Sequence, residues 1–343
     1  MRSSAHTPLR IGILSTANIA RQFIKGVSPS LKVTVSAVAS RDAEKAARFA
    51  TETGIPRHFG SYEAMLADPE IDAIYNPLPT GLHAEWSIRA MEAGKHVLCE
   101  KPLAASAKEA RAMFDAARRH GMHVVEGYPY RAQPQTQKLQ ALLDEGAIGR
   151  PQLIQASFGF TLKDGPNIRL DPALAGGALM DVGSYTVSLA RMIAKERPKR
   201  VSALALWTEG RVDRTLAATI EFPSGMLVQI GCSFATALHR QALIVGTDGV
   251  VQTTFFNHPS PASPPILQLK RGKGPEAIWE TLPVPAMNGF LAEAESFEQL
   301  VRNGAGSWNG ATPEESIDIM LTIEALLESA RSDKTVEIDV SRQ

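Results

Sequence analysis

Lys101 stands between a carboxylate and a proline in Glu100-Lys101-Pro102, directly after the apolar run His96-Val97-Leu98-Cys99. That run reads as a short buried strand, with Gly94 just before it. In an open α/β sheet, ligands bind beyond the carboxyl ends of the strands, which puts the Lys101 amine at a cleft. Pro102 holds Lys101 to extended backbone and allows a cis bond that aims the amine. By itself the tripeptide reads first as an exposed turn carrying a solvated charge pair. A second group changes that weighing. Gly176-Gly177-Ala178-Leu179-Met180-Asp181-Val182-Gly183-Ser184-Tyr185 opens on paired glycines and then sets a carboxylate and a phenol four residues apart. On a helix these share one face, with Gly183 between them leaving room for a close approach. Two readings stand level: a proton-transfer pair, or a helix-dipole aspartate beside a half-buried core tyrosine.

The elements that must position these groups begin at Leu9. Leu9 to Leu14 is a compact buried strand running into Ser15-Thr16-Ala17-Asn18-Ile19-Ala20, where helical spacing begins. A strand, a tight turn and a free helix N-terminus make an anion site, because unpaired N–H groups and the helix dipole both favour phosphate. The dinucleotide fingerprint G-x-G-x-x-G/A becomes Ser15-x-Ala17-x-x-Ala20, so only the last small residue matches. The side chains still allow close backbone approach, provided neither position demands a positive φ. Val33 to Ala39 is the next strand. Ser40, Arg41 and Lys45 occupy the corner where a carboxylate would bind a ribose 2′-hydroxyl and an arginine would suit a 2′-phosphate. This favours NADP over NAD; ordinary solvated helix-start residues are the alternative, and an inward-pointing Asp42 would reverse the preference. Asp42 itself suits an N-cap for a helix over roughly 43–53 that Gly54 ends.

Strands and helices keep alternating. Ser61 caps a short helix at 62–67, Ile71 to Tyr75 is a strand ending at Asn76-Pro77-Leu78-Pro79, and Gly81 to Ala93 is a helix closed by Gly94. Ser106 to Glu109 forms a capping box ahead of another helix. Met122 to Glu126 is counted as the sixth strand of a parallel, doubly wound sheet. The rhythm then changes. Strands at about 153–160, 200–207, 215–222, 226–234, 241–245 and 250–255 are joined by tight turns at Pro223-Ser224-Gly225 and Thr247-Asp248-Gly249, which predicts a large, mainly antiparallel sheet. Residues 258–265 form a Pro/Ser-rich loop. Helices are expected at about 288–303 and 313–332, and a last strand at 335–339. The expected division is 1–128, a Rossmann dinucleotide-binding domain, and 129–343, an α+β substrate-binding and oligomerisation domain with helices on one sheet face. The free face invites a second copy of the chain, as a homodimer or homotetramer.

Composition bounds the partners. At 343 residues the chain exceeds one ordinary core. Lys+Arg and Asp+Glu both number 36, so nothing in the charge balance points to nucleic acid or an acidic membrane. Residues 1–6 carry no apolar signal core, and no stretch approaches a membrane span. Cys99 and Cys232, each inside an apolar run, suit a reducing compartment, and the expected location is the cytoplasm. The eight histidines show no ligand spacing, so no metal is expected.

Taken together these stretches resemble the Gfo/Idh/MocA family of oxidoreductases. The matching pieces are Glu100-Lys101-Pro102, Gly176-Gly177-x-Leu179-x-Asp181-x-Gly183-x-Tyr185, Asn76-Pro77-Leu78-Pro79-x-x-Leu82-His83, and Glu126-x-x-x-Tyr130-Arg131. Ser15 to Ala20, Ser40-Arg41-Asp42 and a tyrosine at 185 are most similar to the branch of D-xylose and trans-dihydrodiol dehydrogenases. The resemblance implies a nicotinamide held between a Rossmann domain and an open-sheet domain. It implies contacts to the dinucleotide from Ser15, Thr16, Ala17, Asn18, Ile19, Ser40, Arg41, Lys45, Pro77, Leu78, Pro79, His83, Glu100 and Lys101. It also implies that Lys101 and Tyr185 do the proton work, with Asp181 beside them.

The expected reaction moves a hydride between nicotinamide and a secondary alcohol or carbonyl of a sugar, polyol or cyclic diol. A free Tyr titrates near ~10 and a free Lys near ~10.4, so each needs help to act as a base at neutral pH. The expected arrangement makes Tyr185 the general acid/base, with Lys101 polarising the substrate oxygen and favouring the phenolate; the reverse assignment stays open. Asp181 orients the substrate hydroxyl or Tyr185. His83 sits by the nicotinamide ribose or serves as a structural helix start. Arg131 and Arg169 line the substrate rim. Two rivals remain: a dinucleotide-binding sensor that kept the fold, and a glycosidase using a retained nicotinamide transiently.

Overall fold

β1 (Leu9–Leu14) is apolar at every position but Arg10 and Gly12, the composition of a strand covered on both faces. A computed structural model of the chain describes residues 7–163, 165, 167–260 and 263–338. It places β1 inside a six-stranded parallel sheet with β2 (Val33–Ala39), β3 (Arg57–Phe59), β4 (Ala73–Asn76), β5 (His96–Glu100) and β6 (Val124–Gly127). The order β3-β2-β1-β4-β5-β6 reverses direction between β1 and β4, the switch point at which doubly wound sheets open a ligand crevice. Five of these strands match the periodicity. The three-residue β3 completes the six and is too short to announce itself by pattern.

Local chemistry fixes the intervening helices. Asp42 accepts a hydrogen bond from the Lys45 N–H at 3.0 Å and starts α2 (Ala43–Thr53), which Gly54 ends at φ 71°. Ser61 accepts from the Ala64 N–H to start α3 (Tyr62–Leu66). α1 (Asn18–Val27) lies before α2, α4 (His83–Glu92) follows a turn of 3-10 helix at Thr80–Leu82, and α5 (Ala107–His120) begins directly after Ser106.

α6 (Pro134–Asp144) leads into a nine-stranded sheet built from β7 (Pro151–Thr161), β8 (Arg200–Trp207), β9 (Asp213–Glu221), β10 (Leu227–Ser233), β11 (Ala235–Gly246), β12 (Gly249–Thr254), β13 (Leu267–Arg271), β14 (Trp279–Thr281) and β15 (Val336–Glu337). Its order is β14-β13-β12-β11-β7-β10-β9-β8-β15. Every pairing is antiparallel except β7 with β10. That exception follows from connectivity: the chain leaves β7 through α7 (Ser184–Ala194) and returns only after β8 and β9, the long crossover a parallel pair requires. β13 and β14 lie beyond the strands that alternation picks out. α9 (Pro313–Ser332) packs on β8 and against α7. Val201 and Ala203 of β8 turn toward it and are buried, while Leu204 and Leu206 on the opposite face are 70% and 69% exposed. Arg191 of α7 pairs with the fully buried Asp318 of α9 at 2.8 Å, and Arg197 joins the same carboxylate.

The chain divides into two compact units. One holds residues up to 104, 109–132 and 288–310; the other holds 105–108, 133–287 and from 311 onward. α8 (Gly289–Asn303) thus belongs with the parallel sheet. Its Phe290 meets Phe23 of α1 edge-on at 5.6 Å, and Phe23 stacks on Tyr75 of β4 at 3.9 Å. Residues 1–6, Pro261 and Ala262 of the Pro/Ser-rich loop, and Asp339 of the expected last strand lie outside the described residues.

Candidate active site

In the first unit the parallel arrangement carries the ends of β1, β2, β4 and β5 to one edge. Ser15, Ser40, Pro77 and Lys101 each follow directly on their strand. Ser15 adopts φ 80°, the left-handed conformation that favours glycine. The condition that neither fingerprint position demand a positive φ therefore fails at Ser15 and holds at Ala17, whose φ is −65°. The turn keeps its shape with serine, whose hydroxyl accepts from the Ala17 N–H at 3.3 Å. Ala17 caps α1 without a side-chain hydrogen bond, and no acidic residue stands in the first turn. The helix thus ends in backbone N–H groups that no side chain satisfies, which fits a pyrophosphate. Thr16, Asn18 and Ile19 complete this turn.

At the end of β2, Ser40 is buried and its hydroxyl accepts from the Asp42 N–H at 3.2 Å. Asp42 is spent on capping α2, so that carboxylate serves its own helix. Arg41 and Lys45 are exposed. Burial pushes the Tyr62 phenol up, and the guanidinium of Arg41 beside it pulls the other way.

The loop carrying Lys101 is braced on three sides. Tyr75 Oη donates to Glu100 Oε1 at 2.6 Å, which turns that carboxylate inward. Glu126 Oε1 accepts from the Leu103 N–H at 3.0 Å. His83 lies with Nδ1 2.9 Å from the Pro102 carbonyl and Nε2 2.7 Å from the Leu78 carbonyl. The Lys101–Pro102 bond is cis. Burial drives the His83 imidazole down to about 4, against the pull of those carbonyls. The buried ring lies between the Pro77–Pro79 turn and the Lys101 turn, and as a neutral imidazole it donates its single N–H to one of the two carbonyls. Pro77 and Leu78 are buried and Pro79 is partly exposed.

In the second unit the segment bearing Asp181 and Tyr185 is not a plain α-helix. Leu179–Gly183 forms a π-helical turn that runs straight into α7; such wide turns recur at functional sites. Gly177 at φ 130° lets Asp213 of β9 approach so closely that any Cβ there would collide with its carboxylate. Asp213 Oδ2 accepts from the Leu179 N–H at 2.6 Å and so anchors the start of the turn. Burial raises the Asp213 carboxyl, and the hydrogen bond from Leu179 opposes that rise. Gly183 does admit a close neighbour: a Cβ there would meet Cys232 Sγ at 2.9 Å. Asp181 and Arg169 form an ion pair at 2.6 Å. Tyr185 is 4% exposed. Its oxygen accepts from Asn257 Nδ2 at 2.9 Å, and its ring lies under the Arg240 guanidinium at 3.9 Å.

The two arginines expected at the substrate rim differ. Arg169 is exposed and paired with Asp181, whereas Arg131 belongs to the other unit and is 3% exposed. Asn257 and Arg240 escape a reading of the sequence. One faint signal exists for Arg240: it shares the buried face of β11 with Ala242 and Ile244, and a charge at an inward strand position needs a reason.

Comparison with known proteins decides the lineage. Residues 9–128 match an oxidoreductase family with an NAD-binding Rossmann fold, and residues 136–252 match the GFO/IDH/MocA C-terminal domain. The chain belongs to the Gfo/Idh/MocA family. It is 38% identical over 341 residues to D-xylose 1-dehydrogenase (NADP(+)) 2 of Haloferax volcanii, covering 96% of this chain and 100% of that one. It is 35% identical over 248 residues to the trans-1,2-dihydrobenzene-1,2-diol dehydrogenase of Xenopus laevis, covering 71% of this chain and 75% of that one. A solved 3-ketoreductase from Actinomadura kijaniata, in complex with NADP and TDP-benzene, superposes with TM-score 0.83 at 29% identity, covering 95% and 97% of the two chains. This member of the Gfo/Idh/MocA family is an NAD(P)-dependent dehydrogenase, as the resemblance implied, and falls in the branch that it indicated. Among the described residues no helix is long and apolar enough to cross a membrane.

Proposed function

We propose that the enzyme oxidises a secondary alcohol of a sugar, polyol or cyclic diol, with NADP as the preferred partner over NAD. The expected boundary at 128/129 is kept for the roles: the unit of the parallel sheet, which also takes in Arg131 and α8, holds the dinucleotide, and the unit of the nine-stranded sheet holds the substrate. The residues expected to touch the dinucleotide are those of the Ser15–Ile19 turn, Ser40, Arg41, Lys45, Pro77, Pro79 and Lys101. Leu78, His83 and Glu100 act there through the backbone they brace. When bound, the nicotinamide supplies the two-electron acceptor for the carbinol hydrogen.

The protein's own share is the proton. Lys101 donates a hydrogen bond to the substrate oxygen. Tyr185 takes the hydroxyl proton as the carbon loses its hydrogen with the bonding pair, and a carbonyl results; the reverse steps reduce a carbonyl. Asp181 and Arg169 orient the substrate hydroxyls, and Arg131 supports the first unit from within. The observation that carries this reading is the setting of Tyr185: a guanidinium lies on the face of its ring and an amide N–H is donated to its oxygen, and both contacts favour the phenolate. The activities of the relatives named above support the substrate class and NADP, as does the use of Asp42 to cap its own helix.

The test is a dehydrogenase screen of pentoses, hexoses, inositols and cyclic diols with NADP and NAD, on wild type and Tyr185→Phe. Net NADPH formation with a sugar or diol is expected, and Tyr185→Phe should lose about 10²–10⁴ in rate. Near-wild-type turnover by Tyr185→Phe removes Tyr185 from the chemistry, and a clear preference for NAD removes the reading of Ser40, Arg41 and Lys45.

The same proposal includes a homodimer or homotetramer formed through the open sheet face, where Leu204, Leu206 and Leu227 are exposed. Light scattering on Leu204→Glu/Leu206→Glu should report a smaller species than wild type. The buried, unpaired thiols of Cys99 and Cys232 suit a reducing compartment, the cytoplasm.

A further inference from the structure

Arg240 is stacked on the ring of Tyr185, and its surroundings are built to keep it there. It is 5% exposed. Its guanidinium lies 3.9 Å from the centre of the Tyr185 ring, 4.7 Å from Phe158 and 4.9 Å from Phe255. Its Nη2 donates to Asn257 Oδ1 at 3.1 Å, and Asn257 Nδ2 donates in turn to Tyr185 Oη at 2.9 Å. Asn257 is held from behind, because Gln133 Nε2 donates to the carbonyls of Phe256 and Asn257 at 2.9 and 2.6 Å. All of these residues belong to the second unit.

We propose that Arg240 and Asn257 are positioning residues that hold the Tyr185 phenol in place and stabilise its ionised form, independently of Lys101. This rests on the role of Tyr185 given above. The physical argument has two parts. An always-charged guanidinium taken out of water interacts strongly with a π face, and more so when the ring carries negative charge. A donor fixed on the phenol oxygen favours the form with more electron density there, and Arg240 polarises that donor through Oδ1. Titratable groups that face this part of α7 include Asp181, which pairs with Arg169, and Cys232, whose thiol burial pushes up and so keeps uncharged; His258 is the next residue after Asn257. Within this unit the Arg240 guanidinium is brought directly onto the face of the Tyr185 ring.

The test reads the phenol directly, without cofactor or substrate. Ultraviolet difference titration of the phenolate band, with Tyr185→Phe subtracted, isolates Tyr185 from the other four tyrosines. In Arg240→Met the Tyr185 transition should move up by about one pH unit or more, a tenfold change in its ionisation constant. Arg240→Lys should recover part of the shift, and Asn257→Ala should give a smaller shift in the same direction. The pH at which kcat falls off on the acid side should move with the titration, which a merely structural role would not produce. An unmoved transition in folded Arg240→Met overturns the proposal; should that variant fail to fold, an unmoved transition in Asn257→Ala does so. A full shift in Arg240→Met together with an active Tyr185→Phe would leave the coupling standing and refute only the catalytic role of Tyr185.

Discussion

Gly177→Ala probes the anchor beneath the π-turn. At φ 130° a side chain is strained, at a cost of about 1–3 kcal/mol. The new methyl also takes the space of the Asp213 carboxylate. Displacing it weakens the hydrogen bond that the Leu179 N–H donates at 2.6 Å, and a buried bond to a charged group is worth about 1.5–3 kcal/mol. The sum is a loss of about 2.5–6 kcal/mol, a large share of the stability of an ordinary domain. Asp181 and Tyr185 ride on the same turn, so kcat/KM should fall with stability. Urea unfolding measures the first and a steady-state assay the second. Coupling identifies the cause: in an Asp213→Ala background, Gly177→Ala should cost only the backbone part, about 1–3 kcal/mol. A cost below about 1 kcal/mol, or the same cost with and without the aspartate, refutes the account of this anchor.

Further outcomes follow from other buried or strained groups. Ser15→Gly should keep stability within about 1 kcal/mol of wild type, whereas Ser15→Val should lose about 2 kcal/mol or more and bind dinucleotide more weakly; urea unfolding and NADPH fluorescence check both, and the opposite order refutes the left-handed turn. His83 has a depressed folded pKa of about 4, so its contribution is complete above ~6.5 and is lost as pH falls toward 4, at most about 3 kcal/mol. NMR titration of its ring proton should give a midpoint well below 6.5, and one at or above 6.5 contradicts the neutral, buried ring. Burial, and then the charge of Glu100, hold the Glu293 carboxyl well above its ordinary range. The folded protein there keeps a proton that the unfolded chain releases near ~4.3. Stability from this group is present below that pH and declines by about 1.4 kcal/mol per unit as pH rises toward the folded value. Glu293→Gln cannot ionise and should flatten that decline between pH 4.5 and 8; parallel curves for the two proteins would show that Glu293 does not titrate in this way.

Repetition and patterning along the chain determined a good deal. Two-sided apolar runs, each ended by small or capping residues, announced the parallel sheet, because a strand covered on both faces needs no alternation. Asp42, Gly54 and Ser61 marked helix ends through bonds made within four residues. Glu100-Lys101-Pro102 at a strand terminus and the Asp181/Tyr185 spacing marked candidate groups, and the resemblance to the family supplied the roles proposed for them. Short elements were beyond that reach: β3, β13 and β14 exist only because a neighbouring strand pairs with them. The same holds for what surrounds the candidate groups. Ser15 takes a conformation that its side chain disfavours, held by β1 and α1 on either side. Asp213, Arg240 and Asn257 come to the Tyr185 segment from positions 28–72 residues away along the chain. No local rule relates residues at such separations. Only the packing of α7 against the nine-stranded sheet brings a buried guanidinium onto a tyrosine ring, and the tertiary fold alone decided how that tyrosine is held.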